Sequence, residues 1–240
     1  MTLKYQLVAH DLAEKIDNQI YIDKLPSEVE LMQQYNVSRN TIRNALNILY
    51  SQGIIRRIQG SGYFISFSPR SDGTVLNLAN KRGLRDLEAD EPVVSDVLIL
   101  ETIPAGTHVS HFLQCDQNDI VYHVQRLRHK SNIIVSLEEA FYLKSVVPYL
   151  NEEICSGSIF SFIIKTYHLE VKNGDEYVKV HQLTDEEANI TKLPIATPAL
   201  YLEEINYLKN EQPFNYSRTL YLQQDLTLYY HVSNYLNHLQ

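Results

Sequence analysis

Apolar positions along this chain keep a helical period at its start and change to a strand-like texture further on. From residue 3 to 20 they recur every three or four residues (Leu7, Val8, Leu12, Ile16, Ile20) with Lys, Glu, Asp and Gln opposite, the spacing of an amphipathic helix. Lys24-Leu25-Pro26 stops it. Ser27 then stands three residues before Glu30 as a capping box, and Val29, Leu31 and Met32 supply apolar side chains for a short second helix ending near Asn36. After only Asn36-Val37, Ser38 caps a third helix over 39–52, whose Ile42, Ala45, Leu46 and Leu49 share one face and which Gly53 ends. Residues 54–58 and 63–65 are rich in strand formers and are joined by Gln59-Gly60-Ser61-Gly62, which suits a hairpin. Three helices with a tight second turn, then a hairpin, predict a winged helix-turn-helix over residues 1–66.

Residues 67–75 hold Ser, Pro, Asp and Gly with little apolar pattern and read as a linker. Beyond it, β-branched and aromatic segments at 93–100, 120–130, 133–143, 176–183, 199–208, 214–222 and 227–232 predict seven strands. Helices are predicted between them at 107–113, 158–168 and 185–190, the last capped by Thr184 with Glu187 at its third position. Together these predict an α+β domain over residues 76–240, built on one largely antiparallel sheet. A length of 240 residues, 44% of them hydrophobic, accommodates two domains each with its own core.

Charge sharpens the division. Residues 1–70 carry eight Lys/Arg against six Asp/Glu, a net of +2, which leaves −10 on the rest of a chain whose formal charge is −8. The anionic partner therefore belongs to the first domain, and the second has separate duties. In a helix-turn-helix the third helix enters the major groove by its first turns, and its free N–H groups favour phosphate. Here those turns offer Ser38, Arg39, Asn40, Thr41, Arg43 and Asn44. Arg39 and Arg43 lie four apart on a face distinct from the core stripe, and arginine can grip guanine O6 and N7 with two bonds. Ser38, Thr41 and the Ser27 region suit phosphate oxygens. The wing tip, Gln59 with Gly60 and Gly62, can approach the DNA backbone closely, and of the alternating Arg56 and Arg57 only one can face it. The partner expected is duplex DNA. Two arginines on a helix are ordinarily only a solvated face, and the joint occurrence of caps, tight turn, arginine face and wing is what raises the DNA reading above that.

This stretch closely resembles the GntR family of bacterial transcription regulators, whose pattern is present as Leu25-Pro26-Ser27-Glu28, Val37-Ser38-Arg39-Asn40-Thr41-Ile42-Arg43 and Gln59-Gly60-Ser61-Gly62. The resemblance covers about residues 3–66 and implies DNA contacts at Arg39, Thr41, Arg43 and the wing glycines, and Ser27 and Glu28 of the LPSE element are counted among the DNA-binding candidates. Many members carry an arginine directly after the LPSE element, where this chain has Val29. The β-rich half, about residues 75–235, looks like the UTRA effector domain of the HutC-type subfamily, a fold similar to chorismate lyase. The matching pieces are Arg126-Leu127-Arg128, Glu139-x-x-Tyr142-Leu143, Pro213-Phe214-Asn215-Tyr216-Ser217 and Asp225.

Arg126 and Arg128, two apart on a strand, point to one face, where two guanidinium forks converging on one anion would suit a phosphate or carboxylate. Glu139 and Tyr216 would then serve the hydroxyls of a sugar-like body, and the resemblance adds Asp225. The bland alternative is surface ion pairing in an acidic domain. The resemblance implies sugar phosphates, sugars or small metabolites as effectors. Lys81-Arg82-Gly83 is a second, weaker anion candidate.

Other classes find little in the sequence. Cys115 and Cys155 form no C-x-x-C pair and read as small buried side chains in a reducing cytosol. His108 and His111 lie three apart on a helix but lack an acidic partner motif, so neither a metal nor a cofactor is expected. No G-x-S-x-G, H-E-x-x-H, P-loop or dinucleotide fingerprint occurs, and a lyase-like enzyme is the weaker reading. Charge interrupts the N-terminus before a signal peptide could form, and no apolar run approaches a membrane span. The expectation is a cytoplasmic, homodimeric, effector-responsive regulator, acting as a repressor on a two-fold operator. A constitutive DNA binder without effector is the remaining alternative.

Overall fold

The computed structural model describes residues 3–66, 75–77, 93–130 and 133–229. They divide into two compact units. The first contains α1 (Lys4–Asp17), α2 (Glu28–Tyr35), α3 (Arg39–Ser51), β1 (Ile55–Ile58), β2 (Gly62–Ile65) and β3 (Val75–Asn77). Leu12, Leu31, Ile42, Leu46 and Ile55 are fully excluded from solvent where the three helices meet the hairpin. Each contributes roughly 1.5–3 kcal/mol by burial, before packing is counted. The β1–β2 hairpin pairs Ile55 with Ile65 through Ile58 with Gly62. It is tied to the chain entering α2, because Leu25 donates to the Tyr63 carbonyl (2.9 Å) and Ile65 to that of Asp23 (3.0 Å).

α1 is shorter than its apolar pattern suggested. It ends at Asp17, and Gln19 takes a positive φ of 56°. Val8, Ala9, Leu12 and Ala13 form the buried stripe, while Leu7 and Ile20 are 56% and 63% exposed. The pattern ran on into the turn because Ile20 kept the spacing by chance.

The second unit holds β4 (Val93–Pro104), α4 (Gly106–Leu113), β5 (Ile120–Lys130), β6 (Ile133–Leu143), α5 (Glu152–Ser156), α6 (Ile159–Tyr167), β7 (Val171–Gln182), α7 (Asp185–Thr191), β8 (Pro198–Leu208) and β9 (Pro213–Tyr221). Its six strands form one antiparallel sheet in the order β4-β5-β6-β9-β8-β7. On one face Tyr122, Val124, Ala140 and Tyr142 pack beneath α5 and α6. On the other, Val121, Phe141, Leu143, Ile205 and Tyr216 pack against α4, and Leu137, Ala199 and Leu220 against the α7 region. The sheet is therefore a two-sided core with a helix layer on each side.

The structure departs from expectation in three places here. β7 begins at Val171, five residues before its predicted start, and the short helix α5 was not foreseen. The seventh predicted strand leaves the sheet altogether. β10 (Thr227–Tyr229) pairs in parallel with β3 in the first unit, in register Thr227 with Val75 through Tyr229 with Asn77. Local composition marks a strand but carries no information about its partner. Residues 67–74 of the expected linker, and Lys81-Arg82-Gly83, lie outside the described residues.

Candidate functional site

Local chemistry sets the geometry of the helix-turn-helix. The Ser27 hydroxyl accepts from the Glu30 N–H at 3.3 Å and the Glu30 carboxylate accepts from the Ser27 N–H at 2.7 Å, closing the predicted capping box on α2. Asn36 ends that helix in the left-handed conformation, φ 49°, which asparagine tolerates. The chain is thus turned within two residues onto Ser38, whose hydroxyl accepts from the Thr41 N–H at 3.3 Å and caps α3. Ile42, Ala45, Leu46 and Leu49 are buried, which leaves Ser38, Arg39, Asn40 and Arg43 on the exposed side and Thr41 partly covered. At the wing tip Gln59 is exposed, and Gly60 and Gly62 have φ of 77° and 108°, a backbone that side-chain-bearing residues rarely adopt.

Glu28 organises this surface. Its Oε2 accepts from Arg39 Nε at 2.9 Å and its Oε1 from the Tyr63 hydroxyl at 3.4 Å. The Arg57 guanidinium lies 5.9 Å from the Tyr63 ring centroid. Burial raises the Tyr63 phenol above its ordinary value, and Arg57, Glu28 and Arg43 all act on it electrostatically. One carboxylate therefore ties the recognition helix to the wing. Glu28, a candidate DNA contact by its place beside Ser27, holds an arginine in the structure. Tyr63 and Lys24 escaped the sequence reading. Lys24 bridges to Phe64 beside the wing, with its ammonium 5.3 Å from that ring. Strand alternation left Arg56 and Arg57 equivalent, and the stacking on Tyr63 distinguishes Arg57.

In the second unit the four effector candidates that lie there, Arg126, Arg128, Glu139 and Tyr216, divide between the two faces of the sheet. Arg126 and Arg128 do share a face of β5, the one beneath α5 and α6. Arg126 is buried, donates to both Glu138 oxygens at 2.8 Å, and reaches the carbonyls of Cys155 (2.9 Å) and Gly157 (3.0 Å). Arg128 donates to the same carboxylate at 2.9 Å. Burial alone would raise the Glu138 carboxyl, but the two guanidinium charges and their hydrogen bonds bring it down to about 2. Arg126 Nε, Ser136 Oγ and Tyr142 OH are buried beside this cluster and have no hydrogen-bond partner among the described residues.

Glu139 and Tyr216 point to the opposite face, because neighbouring strand residues alternate. There Glu139 binds His123 at 2.9 Å and pairs with Arg218, while Tyr216 donates to Glu203 at 2.6 Å and meets His108 Nε2 at 3.2 Å. With Glu101–His123 (3.0 Å) and Lys179–Glu203 (2.6 Å), the charges alternate across all six strands. Asp225 is exposed in the turn after β9 and belongs to the first unit. The carboxylate facing the arginines is thus Glu138, one residue from the expected Glu139, and a one-residue offset on a strand is a change of face. His108 is engaged by Tyr216, and no group of three metal-ligating side chains occurs among the described residues.

Comparison with known proteins gives the family. Residues 4–65 match the bacterial regulatory proteins of the gntR family, and residues 89–226 match the UTRA domain. The chain belongs to the GntR family. The HTH-type transcriptional regulator YydK of Bacillus subtilis is 37% identical over 91% of this chain and 93% of its own length. The crystal structure of YydK covers 97% of this chain and 100% of that one, with a TM-score of 0.79 and 34% identity. The mannosyl-D-glycerate transport/metabolism system repressor MngR of Escherichia coli is 29% identical over 85% of this chain and 84% of its own. This GntR chain is accordingly a DNA-binding transcription regulator with an effector-type second unit. The fold of that unit recurs in PhnF from Mycobacterium smegmatis, whose structure aligns with a TM-score of 0.59 at 17% identity over 94% of this chain and 99% of that one. No helix among the described residues is long and apolar enough to cross a membrane.

Proposed function

We propose that this GntR regulator is a homodimeric repressor whose hold on a two-fold operator is set by a small anionic metabolite, of the sugar phosphate class, received beside Arg126 and Arg128. The observation that carries this is the guanidinium pair on that sheet face. Arg126 and Arg128 converge on the one Glu138 carboxylate among side chains that are almost wholly covered, and two planar forks so placed suit an anion. The unpartnered Arg126 Nε, Ser136 Oγ and Tyr142 OH supply donors of the kind a phosphate ester and its hydroxyls require. The set departs from the expected one: Ser136, Glu138 and Tyr142 take the places assigned to Glu139 and Tyr216.

Effector arrival has a structural consequence under this reading. Arg126 Nη1 holds the carbonyls of Cys155 and Gly157, which end α5 and lead into α6. An anion drawing on Arg126 competes with those carbonyls, so its binding biases the α5–α6 junction between two arrangements. Changing the spacing of the two DNA-binding heads is the output. Calorimetric titration of the full chain with a panel of hexose phosphates tests the site. Saturable binding that Arg128→Gln abolishes supports it. Binding of equal strength in the variant contradicts it.

A further inference from the structure

The side of α3 turned away from the core carries a row of amides. At 3.6 residues per turn, Asn40, Asn44, Asn47 and Ser51 fall opposite Ile42, Ala45, Leu46 and Leu49, the buried stripe of the helix. Asn40 and Asn47 are exposed and Asn44 is half-buried. Arg39 and Arg43 border the row on the side of the wing, where Glu28 holds Arg39. On the other side Asn44, Asn47 and Ser51 line a groove with Tyr5 of α1.

Asparagine is a poor residue for the interior of a helix, because its short amide competes for backbone hydrogen bonds. α3 holds three of them in 13 residues, none at a cap. No side-chain hydrogen bond among the described residues engages any of the three, so their amides are free for a partner outside the chain. Chemistry selects that partner. A surface built only for phosphates would place Lys or Arg in this row, and α3 has no cation beyond Arg39 and Arg43. An amide sets one acceptor beside one donor group, and adenine presents the complement in the major groove, its N6–H donor beside its N7 acceptor. Guanine presents two acceptors there, which suits arginine, and a phosphate offers nothing that the amide oxygen can accept.

We propose that Asn40 and Asn44 read adenines in the major groove, so that each operator half-site carries A·T pairs at two fixed positions beside those addressed by the arginines. Both amides lie in the first turns of α3, the end that enters the groove. Four residues advance about 6 Å along a helix, against about 3.4 Å per base pair, so along the groove the two amides meet different base pairs. Asn47 and Ser51 lie beyond them, toward the rim where Tyr5 stands. With a net charge of only +2 over residues 1–70, the domain has a modest general hold on phosphate, and base contacts carry more of its discrimination. The proposal rests on the DNA-binding role of α3 and adds which bases it reads.

Selection of binding sites from a random duplex pool by the full chain, repeated with Asn40→Ala and Asn44→Ala, tests this. Alanine favours a helix more than asparagine does, and neither side chain belongs to the core, so both variants keep the fold. The wild type should enrich a motif with adenine at two positions of each half-site, and each variant should accept any base at one of them. Replacing either adenine by 7-deazaadenine, which lacks the N7 acceptor, should weaken the wild type by roughly tenfold to a hundredfold and leave the matching alanine variant unaffected. Variants that enrich the wild-type motif unchanged, or that lose affinity equally on every sequence, overturn the adenine assignment while leaving the DNA-binding role intact. A wild-type chain that enriches no motif at all overturns both.

Discussion

The Glu28 carboxylate holds Arg39 by its Nε, at 2.9 Å, and leaves both terminal nitrogens of the guanidinium available. Arg39 is otherwise unconfined, with its side chain 68% exposed. A long side chain loses rotamer freedom when it grips a base, and part of that ordering is already in place before DNA arrives. The ion pair itself stabilises the fold by at most about 1 kcal/mol, since one partner is solvated. Its value lies in aim. Glu28→Gln should leave the melting temperature nearly unchanged and lower the preference for operator over scrambled DNA, measured by competition binding. Equal loss on both DNAs would assign Glu28 to the general electrostatic field instead.

Arg39 and Arg57 are predicted to behave differently although both are cations of the same surface. Arg39→Ala should cost roughly 1–3 kcal/mol on the operator and relax preference at one base pair. Arg57→Ala should weaken binding uniformly across sequences and reduce the salt slope by about one unit. Binding measured over a salt series on single-base operator variants separates the two, and a sequence-selective effect of Arg57→Ala would contradict its assignment to phosphate.

Glu138→Gln should destabilise the second unit by about 3–5 kcal/mol, because it leaves Arg126 buried without its counter-charge. Inorganic phosphate at millimolar concentration should restore part of that loss in a urea titration by supplying the missing negative charge beside the two arginines. If phosphate has no more effect on the variant than on the wild type, the arginines are a structural pair only.

The pH dependence has two limbs of opposite sign. Glu138 is depressed in the folded chain to about 2 from an ordinary 4.5, so its contribution is present above that ordinary value and is lost as pH falls toward 2. His123 is raised above its ordinary 6.5 by the hydrogen bond to Glu139, against the opposing effect of burial and with help from Glu101. Its contribution is complete below about pH 6.5 and is lost as pH rises through the raised folded value. Thermal melts from about pH 6 to about pH 9 should show falling stability, and His123→Gln should flatten that slope. An unchanged slope in the variant would remove His123 as its source.

The first unit was legible from sequence because its signals are local. Ser27, Ser38 and Gly53 punctuate helices within a few residues of themselves, and the buried stripe of α3 follows its period. The second unit was legible as strands and much less as a site. Which residue faces Arg126 depends on the pairing of β5 with β6, where Arg126 lies opposite Glu138 and Gln125 opposite Glu139. The pairing of β5 with β6 also carries a β-bulge at Arg128/His129, which has no sequence signature. The same blindness to partners placed β10 in the main sheet, and the hub role of Glu28 needed Tyr63, thirty-five residues away.

The most direct measurement is fluorescence anisotropy of the DNA upstream of this chain's own gene, titrated with the full chain in the presence and absence of hexose phosphates. The account predicts that at least one of them lowers the affinity of the wild type by tenfold or more, on the order of 1.4 kcal/mol of coupling, and leaves Arg128→Gln bound as tightly as before. An effector that releases Arg128→Gln as readily as the wild type would contradict it.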